Sequence, residues 1–431
     1  MQELKDGDRE LIWHPFTQMR EYQLEEPLII QSAEDCYLID IEGRRYIDGI
    51  SSLWVNVHGH RKAKIDQAVR GQLDEVAHST LLGFGNVPSI LLAKKLLEIA
   101  PQNLKKVFYS DSGSTAVEIA LKMAFQYWQH KGEKQKQLFV TLENAYHGDT
   151  IGSVSVGGMQ IFHDLFRPLL FKTIAVPDFD IEQLRKVFLE QAHEIAACVI
   201  EPMIQGAAGM RLQPPGFVSA VRELCDEFNV LMICDEVATG FGRTGKMFAV
   251  EHDSVRPDLL CLAKGITGGY LPLAATLTTQ EVYSAFEGSY AEFKTFFHGH
   301  SYTGNPLACA AALANLEIFE EEKTLQNLPE KIALIAHVME KVAEQPCVKE
   351  VRQLGMMVGI ELAQANGESF PMEQRIANQV CKEAIQQGVL LRPLGDVVVL
   401  MPPLGIQLQT LQVLLEITHQ ALISVLSQRV N

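Results

Sequence analysis

Residues 230–269, VLMICDEVATGFGRTGKMFAVEHDSVRPDLLCLAKGITGG, decide the fold and the site of this chain. The segment contains two apolar runs that are typical of buried strands, at 230–234 and 259–263. The first run ends at Asp235 and the second ends at Lys264. Because open α/β sheets bind their ligands in a crevice at the carboxyl ends of the strands, we expect this acid and this amine to share that crevice.

A regular alternation of helix-like and strand-like segments begins near Lys62. This pattern is typical of βαβ units around a largely parallel sheet, so we predict an α/β fold whose large domain has a mostly parallel seven-stranded sheet flanked by helices. The predicted helices are 64–78, 88–99, 115–130, 180–194 and 216–228. The predicted strands are 106–110, 137–142, 171–176, 196–200, 230–234, 259–263 and 272–278.

The two ends of the chain have a different pattern. Residues 36–50, CYLIDIEGRRYIDGI, hold two alternating runs split by Glu42-Gly43 and predict a β-hairpin. After an apolar helix near 305–320, the sequence predicts a charged helix at 323–345, short strands near 349–362 and 389–401, and a final helix from about 407. We predict a large domain at 61–330 and a smaller α+β domain at 331–431. The N-terminal segment 1–60 is expected to pack with the smaller domain.

Composition restricts the class of protein and its partners. A chain of 431 residues with 47% apolar and 21% charged residues is long enough for two cores. The net charge of −16 argues against nucleic acid and anionic membranes as partners, because both are polyanions. Eight cysteines without CxxC spacing predict reduced core residues, and the polar N-terminus with no membrane-spanning apolar run predicts a cytoplasmic protein.

Three further groups could carry chemistry near Asp235 and Lys264. Residues 111–114, DSGS, lie between a predicted strand and a predicted helix. They form either a phosphate cradle at the positive end of that helix or a plain helix cap by Ser112 or Ser114. Tyr146 either stacks on a flat aromatic ligand or is structural, and Glu201 either lines the crevice or forms a salt bridge.

The remaining motifs are weaker indicators of function. GFGRTG at 240–245 matches the GxGxxG pattern of dehydrogenases, but no helix follows, so we interpret it as a loop that leaves Arg243 available for an anion. Arg392 is either a bidentate ligand for a substrate carboxylate or a surface arginine. The histidine pairs at 58–60 and 298–300 have no further ligand at metal spacing, so we predict no metal site.

The motifs DSGS, NAYHGD, EP, CDEVATGFGRTG, LAKGITGGYLP and HSYTGNPLACAAA, in this order, resemble the class III (ω-type) pyridoxal-phosphate aminotransferases of fold type I. The resemblance covers nearly the whole chain and implies pyridoxal 5′-phosphate as cofactor. It implies that Lys264 forms the Schiff base and acts as general acid and base, and that Asp235 pairs with the pyridine nitrogen. It also implies that Tyr146 stacks on the ring.

The same resemblance assigns roles to the remaining candidates. Gly113 and Ser114 are expected to bind the phosphate, and Ser301 to complete that site from the other subunit of a homodimer. Glu201 is expected to line the cofactor pocket. Arg392 is expected to bind the carboxylate of the keto substrate.

Further segments, IWHPF, GISSLWVNVHG, LKMAFQYW, GRTGKMFAVEH and LLRPLGDVVVLMPP, resemble one branch of that family. This branch aminates 8-amino-7-oxononanoate to 7,8-diaminononanoate in biotin synthesis by a ping-pong reaction, usually with S-adenosylmethionine as donor. The resemblance implies substrate contacts at six positions: Phe16, Leu53, Trp54, Tyr146, Gly299 and Arg392.

Four residues depart from the usual pattern of this branch. Phe16 stands where tyrosine is usual, Leu53 where a second tryptophan is usual, and His300-Ser301 where Pro-Thr is usual. Lysine therefore stays an alternative donor, and another ω-aminotransferase acting on 4-aminobutyrate, ornithine or a diamine is the alternative function. More distant alternatives are an aminomutase of the same family, a dehydrogenase and a catalytically silent dimeric scaffold.

Overall fold

A seven-stranded sheet lies at the centre of the computed structural model, which describes residues 1–159 and 164–429. We number its strands in chain order as β1 (Leu104–Ser110), β2 (Leu138–Leu142), β3 (Ile174–Val176), β4 (Ile195–Ile200), β5 (Leu231–Asp235), β6 (Leu259–Leu262) and β7 (Ala274–Thr279). Their order across the sheet is β1-β7-β6-β5-β4-β2-β3. All neighbours are parallel except β7, which runs antiparallel to both β6 and β1. The predicted α/β fold and its mostly parallel seven-stranded sheet are confirmed.

Helices flank this sheet, and local sequence explains where several of them begin. Asn86 and Asn305 cap two of them, each followed by a proline in the first turn, where a missing N–H costs nothing. Ser112 caps a third, which ends at Gly132 in the left-handed region. The flanking helices are Ala63–Glu75, Val87–Ile99, Gly113–Lys131, Ile151–Ser155, Ile181–Gln191, Phe217–Glu227, Gln280–Ser284 and Pro306–Glu321.

The N-terminal part forms a small sheet with a piece of the C-terminal part. Its strands are Ile30–Glu34, Tyr37–Asp40 and Arg45–Asp48, which confirms the predicted hairpin at 36–50. Val389–Leu390 pairs in parallel with Arg45–Asp48. This pairing supports the predicted association of segment 1–60 with the C-terminal domain, although the domain boundaries stay a prediction. The helices of this part are Gln2–Leu11, Met19–Tyr22 and Ser51–Trp54.

A second antiparallel sheet belongs to the C-terminal part, in the order Val348–Leu354, Met357–Leu362, Val397–Leu400, Arg392–Leu394. Three helices accompany it, Leu328–Ala343, Ile376–Gln386 and Leu408–Leu426. Short 3₁₀ turns occur at Asp164–Leu169, Ala249–Glu251, Lys264–Thr267, Tyr290–Glu292, Met372–Gln374 and Ser427–Arg429. A two-stranded ribbon joins Ile204–Gln205 to Arg211–Leu212.

The core lies around the middle strands of the central sheet. Every residue of β4, β5 and β6 is buried, as expected for parallel strands covered by helices on both faces. All eight cysteines are buried and free, which confirms their predicted place in the core. None of the helices in the described part of the chain combines the length and apolarity needed to cross a bilayer.

Candidate active site

Asp235 and Lys264 lie at the same edge of the central sheet. Strands β5 and β6 are parallel neighbours, with Asp235 opposite Cys261. Asp235 is the last residue of β5, and Lys264 begins a turn two residues after β6 ends. The two side chains that the sequence placed in one crevice are therefore brought together at the carboxyl ends of adjacent strands.

The amine of Lys264 has an unusual environment for a lysine. Its Nζ lies over the Trp54 ring, 4.7 Å from the centroid, and no hydrogen bond or salt bridge joins it to another described residue. Burial lowers the pKa of Lys264 to about 8, against the charges of Asp235 and Glu201, which raise it. Because a neutral amine is nucleophilic, Lys264 is suited to attack a carbonyl carbon and to carry a proton near neutral pH.

Asp235 is buried against a histidine that the sequence analysis did not single out. The Nδ1 atom of His147 lies 2.8 Å from Asp235 Oδ2, and the N–H of Val237 donates to Asp235 Oδ1 at 3.0 Å. Burial favours a lower pKa for His147, but its hydrogen bond to Asp235 and the charges of Asp235 and Glu201 raise the pKa above its usual value. The only sequence signal for His147 was its place next to Tyr146 in NAYHGD.

Glu201 and Tyr146 are joined through the backbone. Glu201 Oε1 accepts from the N–H of Tyr146 at 3.1 Å and Oε2 accepts from the N–H of Gly206 at 2.9 Å. Burial raises the pKa of Glu201 to about 7. Glu201 forms no salt bridge with a described residue, and its two oxygens accept from backbone N–H groups instead. The Tyr146 hydroxyl donates to Asp149 at 2.8 Å, and burial, with this hydrogen bond, raises its pKa.

The start of helix Gly113–Lys131 can bind an anion. Ser112 is the helix cap, so the plainer interpretation holds for its hydroxyl. The Ser114 hydroxyl accepts from the N–H of Thr150 at 2.9 Å. A Cβ on Gly113 would lie 2.5 Å from a Val237 methyl group, so only glycine fits there. Gly113 and Ser114, the first two helical residues, have N–H groups without an intrahelical partner.

A cavity of about 350 Å³ joins the start of this helix to the turn that carries Lys264. Its lining comprises Val55, Asp111, Ser112, Gly113, Ala263, Lys264, Thr267 and residues 269–273. Of the predicted site residues, Gly113 and Lys264 belong to this lining. Phe16 is 61% exposed, Leu53 is 43% exposed, and Gly299 and Ser301 lie exposed in a loop.

Arg392 lies on the edge strand Arg392–Leu394 of the C-terminal sheet. Its Nε atom is buried and has no hydrogen-bond partner among the described residues. Burial lowers the pKa of Arg392, against the charge of Tyr146, which raises it. A buried guanidinium donor without a partner is consistent with a carboxylate ligand.

The expectation that Arg243 is available for an anion is wrong. Residues 240–245 form the predicted loop, but Arg243 is 1% exposed. It donates from Nη1 to the Pro402 carbonyl at 2.9 Å and to the Ser51 hydroxyl at 3.2 Å, and from Nη2 to the Asn56 carbonyl at 2.8 Å. Burial lowers its pKa to about 10. The guanidinium therefore ties distant segments together.

Comparison with known proteins places this geometry in a family. The family described as Aminotransferase class-III matches residues 19–422. An adenosylmethionine-8-amino-7-oxononanoate aminotransferase from Aquifex aeolicus is 54% identical over 423 residues, 94% of this chain and 93% of the relative. The crystal structure of an enzyme of that name from Methanocaldococcus jannaschii has a TM-score of 0.97 and 45% identity, covering 98% of this chain and 99% of that one.

A second solved structure extends the likeness. It is an amine transaminase from an uncultivated Pseudomonas species in its PLP-bound form, with a TM-score of 0.91 and 35% identity, covering 96% of this chain and 99% of that one. The family match spans nearly all of the 431 residues. The chain therefore belongs to the class-III aminotransferases.

Proposed function

We propose that this aminotransferase converts 8-amino-7-oxononanoate to 7,8-diaminononanoate in biotin synthesis, with S-adenosylmethionine as amino donor in a ping-pong reaction. One observation carries the substrate assignment. Relatives that have the name of this biotin-pathway enzyme match the chain over almost its full length, at 54% identity for the Aquifex aeolicus protein and 45% for the Methanocaldococcus jannaschii structure.

The residues around the cavity fit pyridoxal 5′-phosphate. Lys264 presents an amine without a hydrogen-bond partner among the described residues, and Asp235 presents a buried carboxylate. The helix start at Gly113 leaves backbone N–H groups for a phosphate, and a side chain at this position would clash with Val237. When bound, the cofactor supplies an electron-withdrawing ring that stabilises negative charge on the carbon next to the transferred amine.

The side chains around the cavity have separate roles in the proposed reaction. Lys264 would act as the base that removes a proton from the substrate carbon that bears the amine, and its protonated form would act as the acid that donates a proton in the second half of the reaction; a pKa of about 8 suits both roles. Asp235, oriented by His147, would hold the pyridine nitrogen of the bound cofactor protonated. Tyr146 would pack against the cofactor ring, and Glu201, which holds the backbone of Tyr146, would line the pocket.

Substrate recognition is assigned to residues around this centre. Arg392 binds the carboxylate of the amino-ketone, and Trp54, beside the Lys264 amine, contacts its methylene chain. Phe16, Leu53 and Gly299 remain assigned to the substrate side. Because Phe16 and Leu53 stand where other side chains are usual, lysine is the second candidate donor.

The assembly that we propose is a cytoplasmic homodimer with shared active sites. Ser301 is exposed in a loop, and this exposure supports an assigned contact with the phosphate of a second copy of the chain. The segment around it also exposes large apolar side chains, which a second copy would cover: Phe293, Phe297 and Tyr302. Sedimentation of the purified protein at twice the chain mass is the expected result, and a monomer that is fully active would exclude shared sites.

Product formation tests the reaction directly. Purified protein with pyridoxal phosphate is incubated with 8-amino-7-oxononanoate and either S-adenosylmethionine or lysine, and 7,8-diaminononanoate is quantified by mass spectrometry. We expect product with S-adenosylmethionine. Product with lysine alone would change the donor, and no product with either donor would refute the biotin assignment.

A matched pair of arginine variants tests the substrate site. Arg392→Ala should raise KM for the amino-ketone by about 30-fold or more, because a charge-assisted contact contributes about 2 kcal/mol. Arg375→Ala, which removes an exposed arginine paired with Glu21, is the control and should leave KM unchanged. An unchanged KM in both variants would remove Arg392 from the site.

A further inference from the structure

Asn315 contacts the turn that carries Lys264 from the neighbouring helix Pro306–Glu321. Its side chain is fully buried, and Nδ2 donates to the carbonyls of Gly265 at 3.0 Å and Ile266 at 3.1 Å. These two residues directly follow Lys264 in the turn Lys264–Thr267. Asn315 thus holds the backbone on which the reacting amine is mounted.

This turn has a conformation that must be held from outside. Lys264 has φ 44°, in the left-handed region, which costs a non-glycine residue about 1–2 kcal/mol. Such a conformation persists only where the surroundings determine it. The Gly265 carbonyl also accepts from the N–H of Gly268 at 3.1 Å, whereas the Ile266 carbonyl has only the Asn315 amide as donor in the described part of the chain.

The other end of the Asn315 side chain indicates why an asparagine stands here. Its Oδ1 atom is buried without a hydrogen-bond partner in the described residues and packs on Gly268, where a Cβ would lie 2.8 Å away. A buried acceptor without a partner costs about 1–3 kcal/mol, a cost that an apolar side chain would avoid. Asn315 therefore contributes through its side-chain N–H groups, which donate to two carbonyls of the turn Lys264–Thr267.

The backbone of Asn315 is itself fixed by a buried imidazole. His58 Nε2 lies 3.1 Å from the Asn315 carbonyl. Burial lowers the pKa of His58 to about 3, so the ring is neutral and Nε2 donates to this carbonyl. A chain of polar contacts thus runs from His58 through Asn315 to the turn after Lys264.

We propose that Asn315 is a positioning residue for the reaction of Lys264, holding the left-handed turn so that the amine points into the cavity; the role rests on the proposed function of Lys264. Asn315 touches neither substrate nor cofactor and acts through the Gly265 and Ile266 carbonyls. Without it, the turn relaxes and the amine moves out of the apolar contact with Trp54 toward water or the nearby carboxylates.

The test compares Asn315→Ala with Asn103→Ala. Asn103 is a matched control, because its Nδ2 also donates to a carbonyl, that of Pro257 at 2.8 Å, and its Oδ1 is also buried without a described partner. The cofactor-free protein is treated with formaldehyde and cyanoborohydride between pH 6 and 10, and modification of the Lys264 peptide is followed by mass spectrometry. We expect the pKa that governs modification to rise by about one unit in Asn315→Ala only, which lowers the neutral fraction at pH 8 about fivefold.

The cofactor-loaded enzyme gives a second readout. In Asn315→Ala, kcat should fall by about 10-fold or more while KM changes less than twofold, because a misplaced reacting group affects the chemical step rather than binding. Asn103→Ala should retain both values. An unchanged pKa and an unchanged kcat in Asn315→Ala, even with a lower melting temperature, would show a structural role and overturn the proposal.

Two further outcomes are distinguishable. If Asn315→Ala does not fold, Asn315→Leu, which keeps the volume without the donors, takes its place and must give the same rise in pKa and fall in kcat. If wild-type protein transaminates no substrate but Asn315 still sets the pKa of Lys264, the proposed function fails and this role stands. If transamination occurs and neither variant changes Lys264, only the role of Asn315 is refuted.

Discussion

Lys136 and Lys264 place an ammonium over a tryptophan ring at opposite edges of one sheet. Lys136 Nζ lies 4.2 Å from the centroid of Trp128 and Lys264 Nζ lies 4.7 Å from that of Trp54. Burial lowers the pKa of both lysines. Lys136 also donates to three carbonyls, those of Ala192, Ile195 and Asn229 at 3.2, 3.3 and 2.6 Å. Lys264 has no such donation to a described residue, so the number of acceptors distinguishes the two amines.

The position in the sheet explains the difference. Lys136 lies just before β2, and its acceptors lie around the amino ends of β4 and β5, where backbone carbonyls converge on it. Lys264 follows the carboxyl end of β6 and faces a cavity. In parallel sheets the carboxyl edge is the usual ligand edge. A lysine saturated by carbonyls stabilises the fold, whereas one left without acceptors is free to react.

The largest expected effect follows from removing the amine at the carboxyl edge. Lys264→Met should reduce transamination by about 10⁴-fold, because it removes the group to which we assign the roles of nucleophile and proton carrier. The visible absorbance of bound pyridoxal phosphate should also be lost. Lys136→Met is the control and should retain the wild-type rate per folded molecule. Retained activity in Lys264→Met would make the two lysines equivalent and refute the assignment.

The second-largest expected effect is on stability, at Lys136 near the amino ends of the strands. Lys136→Met should lower the free energy of unfolding by about 3 kcal/mol, because three carbonyls each lose a charged donor. Lys136 is only 3% exposed, so water cannot replace the ammonium without local opening. Denaturant unfolding of the cofactor-free protein measures the change. A loss below about 1 kcal/mol would mean that these carbonyls find other donors.

The stability effect at Lys264 should have the opposite sign. Its pKa in the folded protein, about 8, lies below the usual 10.5, so the unfolded chain binds more protons between these values and stability rises with pH there. Below pH 8 the folded state carries the full cost of a charged amine. Lys264→Met should therefore stabilise the cofactor-free protein by about 1–2 kcal/mol at pH 7, with little gain at pH 10.5. A loss of stability at pH 7 would contradict the low pKa.

Much of the fold could be predicted from local pattern. Strands β5 and β6 are apolar runs that end abruptly at charged residues, and the hairpin at 36–50 alternates regularly. The order across the sheet could not be predicted. β7 runs antiparallel between β6 and β1, and nothing in residues 272–278 indicates a direction, because pairing is decided by contacts between distant segments.

The site was predictable where a side chain acts from the end of a strand, as for Asp235 and Lys264. It was not predictable where function depends on distant partners. The imidazole of His147 meets Asp235 across 88 residues of sequence. Arg243 was misassigned because its carbonyl acceptors at Asn56 and Pro402 belong to remote segments. Asn315 appears in the sequence only as one polar residue within an apolar helix.

The smallest expected effects come from substitution of the two tryptophans that contact these lysines. Trp128 Nε1 donates to the Ala196 carbonyl at 2.8 Å, whereas Trp54 Nε1 is buried without a partner among the described residues. Replacement by phenylalanine therefore removes a hydrogen bond only at Trp128. Trp128→Phe should destabilise the protein by about 1 kcal/mol more than Trp54→Phe, measured by denaturant unfolding.

Trp54→Phe should instead change the amine. A weaker cation–π contact disfavours the ammonium by about 0.5 kcal/mol, which lowers the pKa of Lys264 by a few tenths. The pH dependence of Lys264 methylation in the cofactor-free protein measures this shift, and wild-type protein is the reference. A rise in pKa would mean that the main effect of the indole is to exclude water from the amine. Equal losses of stability in the two tryptophan variants would show that the unpartnered indole contributes as much as the bonded one.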